Sequence, residues 1–349
     1  MTRIDYDFLG GAATRPLGAR AFWYEARGTG AIRELQLKPL QPGEVRIRTL
    51  WSAVSRGTER IVFNGSVPQS EHARMRGPMQ EGNFPFPVKY GYCAVGRVEA
   101  GPPEWLGRIV FAMHPHQDHF NAQVSSVTAI PDHIPARRAA LAANMETALN
   151  AVWDSGAGPG DRIVIVGGGL VGLLVAALTS RLPGAEVIVS DITDERRNLV
   201  EKLGARFVNV GADMPAPTQI ADIVFHASGS QAGLATALQW AGFEAMVIEL
   251  SWHGSGRVSV PLGGAFHSQR LKIVASQVGH VSSSRRMRWS ASRRLSKAID
   301  LLDDNRLDDL ITAEVSFDDL PRDIAAILAP SAPGVSTIVR YQEQVHVRS

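Results

Sequence analysis

Gly167, Gly169 and Gly172 stand in the spacing G-x-G-x-x-G. They separate a β-branched run, "RIVIV" at 162–166, from an apolar stretch of different period, "LVGLLVAALTSRL", beginning at Leu170. Between a strand and a helix, that spacing suits a dinucleotide. The first glycine permits a tight turn, the second lets the backbone approach a pyrophosphate, and the third lets helix and strand pack closely. Free N–H groups at the helix start, near Leu170 and Val171, then face the phosphates. A second strand-like run, "AEVIVSD", ends at Asp191, 22 residues beyond Gly169. A carboxylate there accepts hydrogen bonds from the adenosine ribose diol and repels a 2′-phosphate, so NAD(H) is expected in preference to NADP(H). Arg196 and Arg197 lie close enough to assist a phosphate, which keeps NADP(H) open. The alternative for Asp191 is a helix N-cap ahead of "TDERR".

These residues need a sheet to position them. From about residue 149, "RIVIVG", "EVIVSD", "RFVNV", "DIVFHAS", "AMVIELSW" and "LKIVASQV" alternate with helical stretches, "DERRNLVEKLG" and "QAGLATALQWAG" among them. Apolar strands alternating with helices predict an α/β fold with a doubly wound parallel sheet. The first 145 residues or so read differently, as short β runs ("RAFWYE", "EVRIRTLWSAVS", "GRVEAG", "GRIVFAM") between Gly/Pro turns. A long polar, proline-bearing loop at 66–90 is expected over a cleft or at the surface. Beyond about residue 281, two helices ("SASRRLSKAIDLLDD" and "FDDLPRDIAAIL") and a final strand ("VSTIVRYQ") are expected.

Composition bounds the function. The 349 residues suit two domains of about 150 each. Lys plus Arg total 36 and Asp plus Glu 34, so no bias towards nucleic acid exists. Cys93 is the single cysteine, which excludes an internal disulfide and a zinc site built on several thiolates. The first 20 residues lack the apolar run of a signal peptide, and no apolar stretch reaches about 18 uninterrupted residues. A cytoplasmic protein acting on a small molecule is expected, with no nucleic acid or membrane partner.

With these residues in view, the chain resembles the medium-chain dehydrogenase/reductase family, also called zinc-type alcohol dehydrogenase-like. The likeness runs over roughly residues 21 to 341. It rests on "GTE" at 57–59, "GYCAVGRV" at 91–98, "AIPDHIPARRAALAANMETALNAV" leading into the glycine turn, "EKLGA" at 201–205 and "ASGS" at 227–230. The resemblance implies a β-rich GroES-like catalytic domain formed by both chain ends, 1–148 and 281–349, and a Rossmann domain at 149–280. It also implies cofactor in the cleft between them, with Ser228 among its contacts, and a homodimer. Zinc-dependent members carry a Cys before "GT(D/E)" and a "GHE" motif. Here Ser55 and Arg56 precede Gly57, and Gly91-Tyr92-Cys93 stands in place of "GHE", so no zinc is expected. The "SRGTER" and "YGY" pieces resemble the bacteriochlorophyllide a dehydrogenase-like subgroup, which oxidises a hydroxyethyl side chain.

Without zinc, another group must take the alcohol proton or stabilise the alkoxide. The resemblance puts Tyr92 in the cleft, Thr58 and Glu59 near the reacting centre, and Glu146 with Asn150 on a helix beside the nicotinamide. A buried Glu146 would have a raised pKa and could act as acid or base; the alternative is a carboxylate favoured by the helix dipole. In "HPHQDH", His114, His116 and His119 could contact substrate, relay a proton or, with Asp118, hold a metal. Of these, His116 is the catalytic candidate and no metal is expected. The basic stretch 282–297 reads as a solvated face, and His253 and His267 as structural histidines. The expected function is oxidation or reduction of an alcohol/carbonyl pair. Two alternatives are an NADPH-dependent enone/quinone reductase and a non-catalytic NAD-binding regulator.

Overall fold

The computed structural model describes residues 17–211 and 219–342. Most of the N-terminal stretch read for a signal peptide lies outside the described residues.

Six parallel strands form one sheet in the order Arg206–Asn209, Glu186–Asp191, Arg162–Val166, Ala221–His226, Ala241–Glu249, Lys272–Ala275. The run "RIVIV" is wholly apolar after Arg162 because helices cover both faces of the sheet. The helix Leu170–Thr179 is apolar nearly all round for the same reason. It packs between the sheet and the helix Ala142–Ser155. Chain connections leave Arg162–Val166 towards one edge of the sheet and return to Ala221–His226 on its other side. The crevice at the carboxyl ends of these two strands is therefore a topological switch point, where open α/β sheets bind ligands.

The β-rich part is built around the strand Glu44–Val54. Its burial alternates over the first half, with Val45, Ile47 and Thr49 inward and Arg46 and Arg48 outward, as on a half-solvated sheet. It pairs antiparallel with Ala94–Ala100, His119–Gln123 and, from the far end of the chain, Ser336–Arg340. The strand Ile311–Ser316, which the sequence reading did not predict, runs parallel to Ser336–Arg340. Both ends of the chain thus share one sheet.

A helix at Arg56–Phe63 was also not expected. It buries Glu59, Val62 and Phe63, the i, i+3, i+4 face. Where the two parts meet, Ser255 N donates to Ser66 O at 2.9 Å, and Trp252 packs against the same apolar cluster as Tyr92. Among the described residues no helix is long and apolar enough to cross a membrane.

Candidate active site

The glycine turn sits at the switch point. Gly167 adopts φ +110°, and a Cβ there would lie 2.6 Å from Ser228 N. A Cβ on Gly172 would lie 2.0 Å from the Gly167 carbonyl oxygen, so helix and strand touch through this glycine. Gly169 is the N-cap of Leu170–Thr179, has no capping side chain, and has no atom within 4 Å of where its Cβ would be. Leu170 and Val171 are in the first turn of this helix, where backbone N–H groups have no intrahelical acceptor, the arrangement a pyrophosphate fills.

Asp191 closes one side of the turn. Its Oδ2 accepts from Gly168 N at 2.6 Å and its Oδ1 from Thr193 N at 3.0 Å. Arg196 lies across the same turn: its Cγ would be 3.1 Å from a Cβ on Gly168, and its guanidinium donates to Gly334 O at 2.9 Å. Arg56, which the sequence reading did not single out for the cofactor, reaches that same carbonyl at 2.9 Å and Thr337 Oγ1 at 3.1 Å. Burial, then the neighbouring Arg196 and Arg60, hold the Arg56 guanidinium below its ordinary pKa. Its Nε is buried without a partner.

Tyr92 heads a cluster of hydroxyls. Its phenol donates to Ser55 Oγ at 2.5 Å, and the Thr58 hydroxyl also contacts it. Burial and the neighbouring Cys93 push the phenol well above its usual pKa. Tyr92 thus stays protonated at neutral pH and acts as a donor rather than a base. Glu59 lies fully buried behind it. Its Oε1 accepts from Ser55 N at 2.7 Å, and its Oε2 accepts from Tyr24 OH at 2.6 Å and bonds His116 Nε2 at 3.0 Å.

Two of the catalytic candidates have their polar atoms engaged within the protein. His116 lies in the interior. It is 1% exposed, and its Nδ1 bonds Ser52 Oγ at 2.7 Å while its Nε2 bonds Glu59, so neither nitrogen is free to meet a substrate. Glu146 faces the helix Ala291–Asp300 instead. Its Oε1 accepts from Arg294 Nε at 3.0 Å, and Asn150 Oδ1 accepts from the same guanidinium at 2.5 Å. Burial raises the Glu146 pKa and Arg294 opposes the rise.

The three histidines do not converge on a metal. His114 stacks on Phe120 at 3.8 Å, and burial pushes its imidazole down to about 3. His119 leans towards Asp118 and Glu99. In the basic stretch, Arg286, Arg288, Arg293 and Lys297 are exposed as expected, whereas Arg294 is buried.

Ser228 is exposed at the crevice, but its hydroxyl is bonded to His226 Nε2 at 2.7 Å, and His226 Nδ1 bonds Glu249 Oε2 at 2.7 Å. The sequence reading missed His226 and Glu249. Both end apolar strands, and a lone polar residue at a strand end carries no pattern. His253, read as a satisfied structural histidine, has a buried Nε2 with no hydrogen bond, 3.8 Å from Glu249 Oε2.

A zinc ion of the kind this fold family often carries needs thiolate, imidazole or carboxylate donors. Ser55 and Tyr92 offer hydroxyls already bonded to each other. Among the described residues, the one set of three suitable side chains whose ligand atoms approach within 4.8 Å is His226, Glu249 and His253.

Residues 142–249 match the model of the alanine dehydrogenase/PNT C-terminal domain. The chain is similar to 2-dehydro-3-deoxy-L-galactonate 5-dehydrogenase of Pseudoalteromonas atlantica, with 26% identity over 62% of this chain and 71% of that protein. Across curated relatives the matched share runs from 37% to 91% of the relative's length. In structure it superposes on a protein described as a zinc-binding dehydrogenase, from Sinorhizobium meliloti, bound to NADP. The TM-score is 0.75 at 18% identity, over 93% of this chain and 99% of that one. It also superposes on 2R,3R-butanediol dehydrogenase from Bacillus subtilis, with a TM-score of 0.74 at 17% identity over 92% and 99%.

The chain has the fold of the medium-chain dehydrogenases, and its relatives and structural neighbours are NAD(P)-dependent dehydrogenases of that kind. In this fold, the Rossmann part carries the glycine turn and the GroES-like part presents Tyr92, Ser55 and Thr58. The chain is an NAD(P)-dependent oxidoreductase of the alcohol/polyol dehydrogenase type.

Proposed function

We propose that this dehydrogenase interconverts an alcohol and a carbonyl on a polyhydroxylated small molecule, prefers NAD(H), and works without a catalytic zinc. The bonded Tyr92–Ser55 pair carries the reading, because hydroxyls bonded to each other stand beside the "GTE" and "GYC" segments, where the resemblance would call for metal donors. The bound nicotinamide supplies the hydride acceptor or donor. The Leu170 and Val171 N–H groups hold the pyrophosphate, Asp191 the ribose diol, and Arg56 and Arg196 add positive charge beside the turn. With substrate bound, Tyr92 turns its phenolic proton from Ser55 Oγ to the substrate oxygen, and the Ser55 and Thr58 hydroxyls donate to the phenol oxygen in return. The substrate class is supported by relatives that act on a sugar acid and on butanediol. A hydroxyethyl-type secondary alcohol falls within the same chemistry. In this reading the protein is a cytoplasmic homodimer. The edge strand Lys272–Ala275, with Ile273 37% exposed, supports a second copy as its partner.

The test is a panel of polyols, sugar acids and secondary alcohols, followed by nicotinamide absorbance with NAD and NADP, on wild type and Tyr92→Phe. Turnover on at least one compound, reduced about 100-fold in the variant with dinucleotide affinity unchanged, is the expected result. Unchanged turnover removes Tyr92 from the chemistry.

A further inference from the structure

Tyr92 can give a proton but is poorly placed to take one, since its pKa is raised and its own proton is bonded to Ser55. Oxidation of an alcohol therefore leaves a proton without an acceptor in the hydroxyl cluster. The opposite wall of the crevice carries an acceptor. His226 closes the strand Ala221–His226 and is fully buried, Glu249 closes the neighbouring strand Ala241–Glu249, and Ser228 follows His226 by two residues. The three are bonded in series, with Ser228 Oγ to His226 Nε2 at 2.7 Å and His226 Nδ1 to Glu249 Oε2 at 2.7 Å and Oε1 at 2.9 Å.

The polarity of this series follows from its end. Glu249 is partly buried, which opposes ionisation, but its bonds to His226 and to Ser251 N hold its carboxyl below the usual range, so it is ionised at neutral pH. An ionised carboxylate only accepts, so His226 Nδ1 carries the proton and Nε2 is the acceptor. Ser228 accordingly donates its hydroxyl proton inward. Its oxygen also accepts from Ser230 N at 3.2 Å and bonds Ser230 Oγ at 3.0 Å; the residue is exposed, so a substrate hydroxyl would reach it by taking the place of Ser230 Oγ. The backbone leaves room for this series: a Cβ on Gly233 would lie 1.9 Å from Ser228 Oγ and 2.9 Å from His226 Nε2. Ser228 also lies against the glycine turn, its N 2.6 Å from where a Gly167 Cβ would stand.

We propose that Ser228, His226 and Glu249 form a proton relay into the dinucleotide crevice, which takes the proton lost by the substrate hydroxyl and returns it in the reverse direction. The proposal rests on the oxidoreductase reading above. In oxidation, the alcohol C–H bond breaks and its hydride goes to the oxidised nicotinamide. The alcohol O–H bond breaks towards Ser228 Oγ as the Ser228 O–H bond breaks towards His226 Nε2. One N–H bond forms, and the imidazolium is left facing the Glu249 carboxylate. The titratable groups facing His226 are Glu249 from the next strand and His253 from the loop beyond it, whose ring stacks at 6.2 Å. His226, Glu249 and His253 could alternatively bind a metal. That arrangement would have to separate the 2.7 Å His226–Glu249 bond, which disfavours it.

The experiment is calorimetric titration of NAD+ and NADH into the full-length protein, in buffers of different ionisation enthalpy, to count protons exchanged. Wild type is expected to hold more protons in its NADH complex than in its NAD+ complex, because the imidazolium that the relay forms on oxidation faces a neutral nicotinamide in the first and a positive one in the second. His226→Gln should abolish that difference. Ser228→Ala, at an exposed position, should keep dinucleotide affinity within about threefold yet lower turnover about 100-fold and flatten its pH profile. The same proton count in His226→Gln, or wild-type turnover in Ser228→Ala, overturns the relay. Stoichiometric zinc in purified protein that is lost in His253→Ala overturns it in favour of a metal site. If neither dinucleotide binds wild type, the oxidoreductase reading itself falls.

Discussion

Replacing Arg294 with Met separates a structural from a catalytic role for Glu146. Arg294 is 2% exposed, and its guanidinium makes four bonds: to Glu146 Oε1 (3.0 Å), Asn150 Oδ1 (2.5 Å), His280 O (3.1 Å) and Val278 O (2.5 Å). It ties the helix Ala142–Ser155 to the loop after the last sheet strand and to the helix Ala291–Asp300. Met keeps most of the stem's volume but leaves a 1%-exposed carboxylate without its counter-charge. Removing one partner of a buried pair costs about 3–5 kcal/mol, whereas replacing both partners with apolar residues is often neutral. Arg294→Met should therefore lower the urea midpoint strongly, and Glu146→Met/Arg294→Met should recover most of the loss.

The pH dependence has a definite sign. Burial raises the Glu146 pKa, and without Arg294 nothing opposes the rise. For a group raised on folding, the proton-linked stability is complete below the ordinary Glu value and is lost as pH climbs through the raised one. The deficit of Arg294→Met is thus largest at neutral pH and shrinks on acidification towards the ordinary carboxylate range. A midpoint within about 1 kcal/mol of wild type would refute the buried-pair argument. So would Glu146→Gln losing turnover while its midpoint holds, which would return Glu146 to the chemistry.

Gly172→Ala should weaken dinucleotide binding at least about tenfold, because its Cβ would meet the Gly167 carbonyl oxygen at 2.0 Å; calorimetry showing wild-type affinity would contradict the close approach. Asp191→Ala should shift the NAD/NADP affinity ratio towards NADP by roughly tenfold, since it removes the anion beside the turn and leaves Arg196; an unchanged ratio would take Asp191 out of cofactor selection. Exhaustive chelation should leave turnover intact, and elemental analysis should find less than one zinc per chain. Activity that is lost on chelation and restored by zinc would overturn the zinc-independent reading.

Some features were readable from local order along the chain. Three glycines fit one turn because each lacks a side chain where the fold has no space or needs an approach, and those constraints act within a few residues. The stretches 163–166 and 223–225 are apolar throughout because both sheet faces are covered, so a parallel sheet follows from the pattern of strands and helices. Asp191 was legible because it ends the strand next to the turn. Other features depend on pairs far apart in sequence. The helix Arg56–Phe63 begins with Gly57 in its first turn and shows a clear face only once Glu59 is seen buried against Tyr24 and His116. Glu146 was legible as buried, but the charge that neutralises it lies 148 residues away. His116 looked available in a polar "HPHQDH" segment until folding placed Ser52 and Glu59 on its two nitrogens. The Ser228–His226–Glu249 series left no trace in spacing, because adjacent parallel strands bring His226 and Glu249 together across 23 residues. Turns and faces are local properties of the backbone, whereas the protonation and availability of a side chain depend on which distant groups the packed chain sets against it.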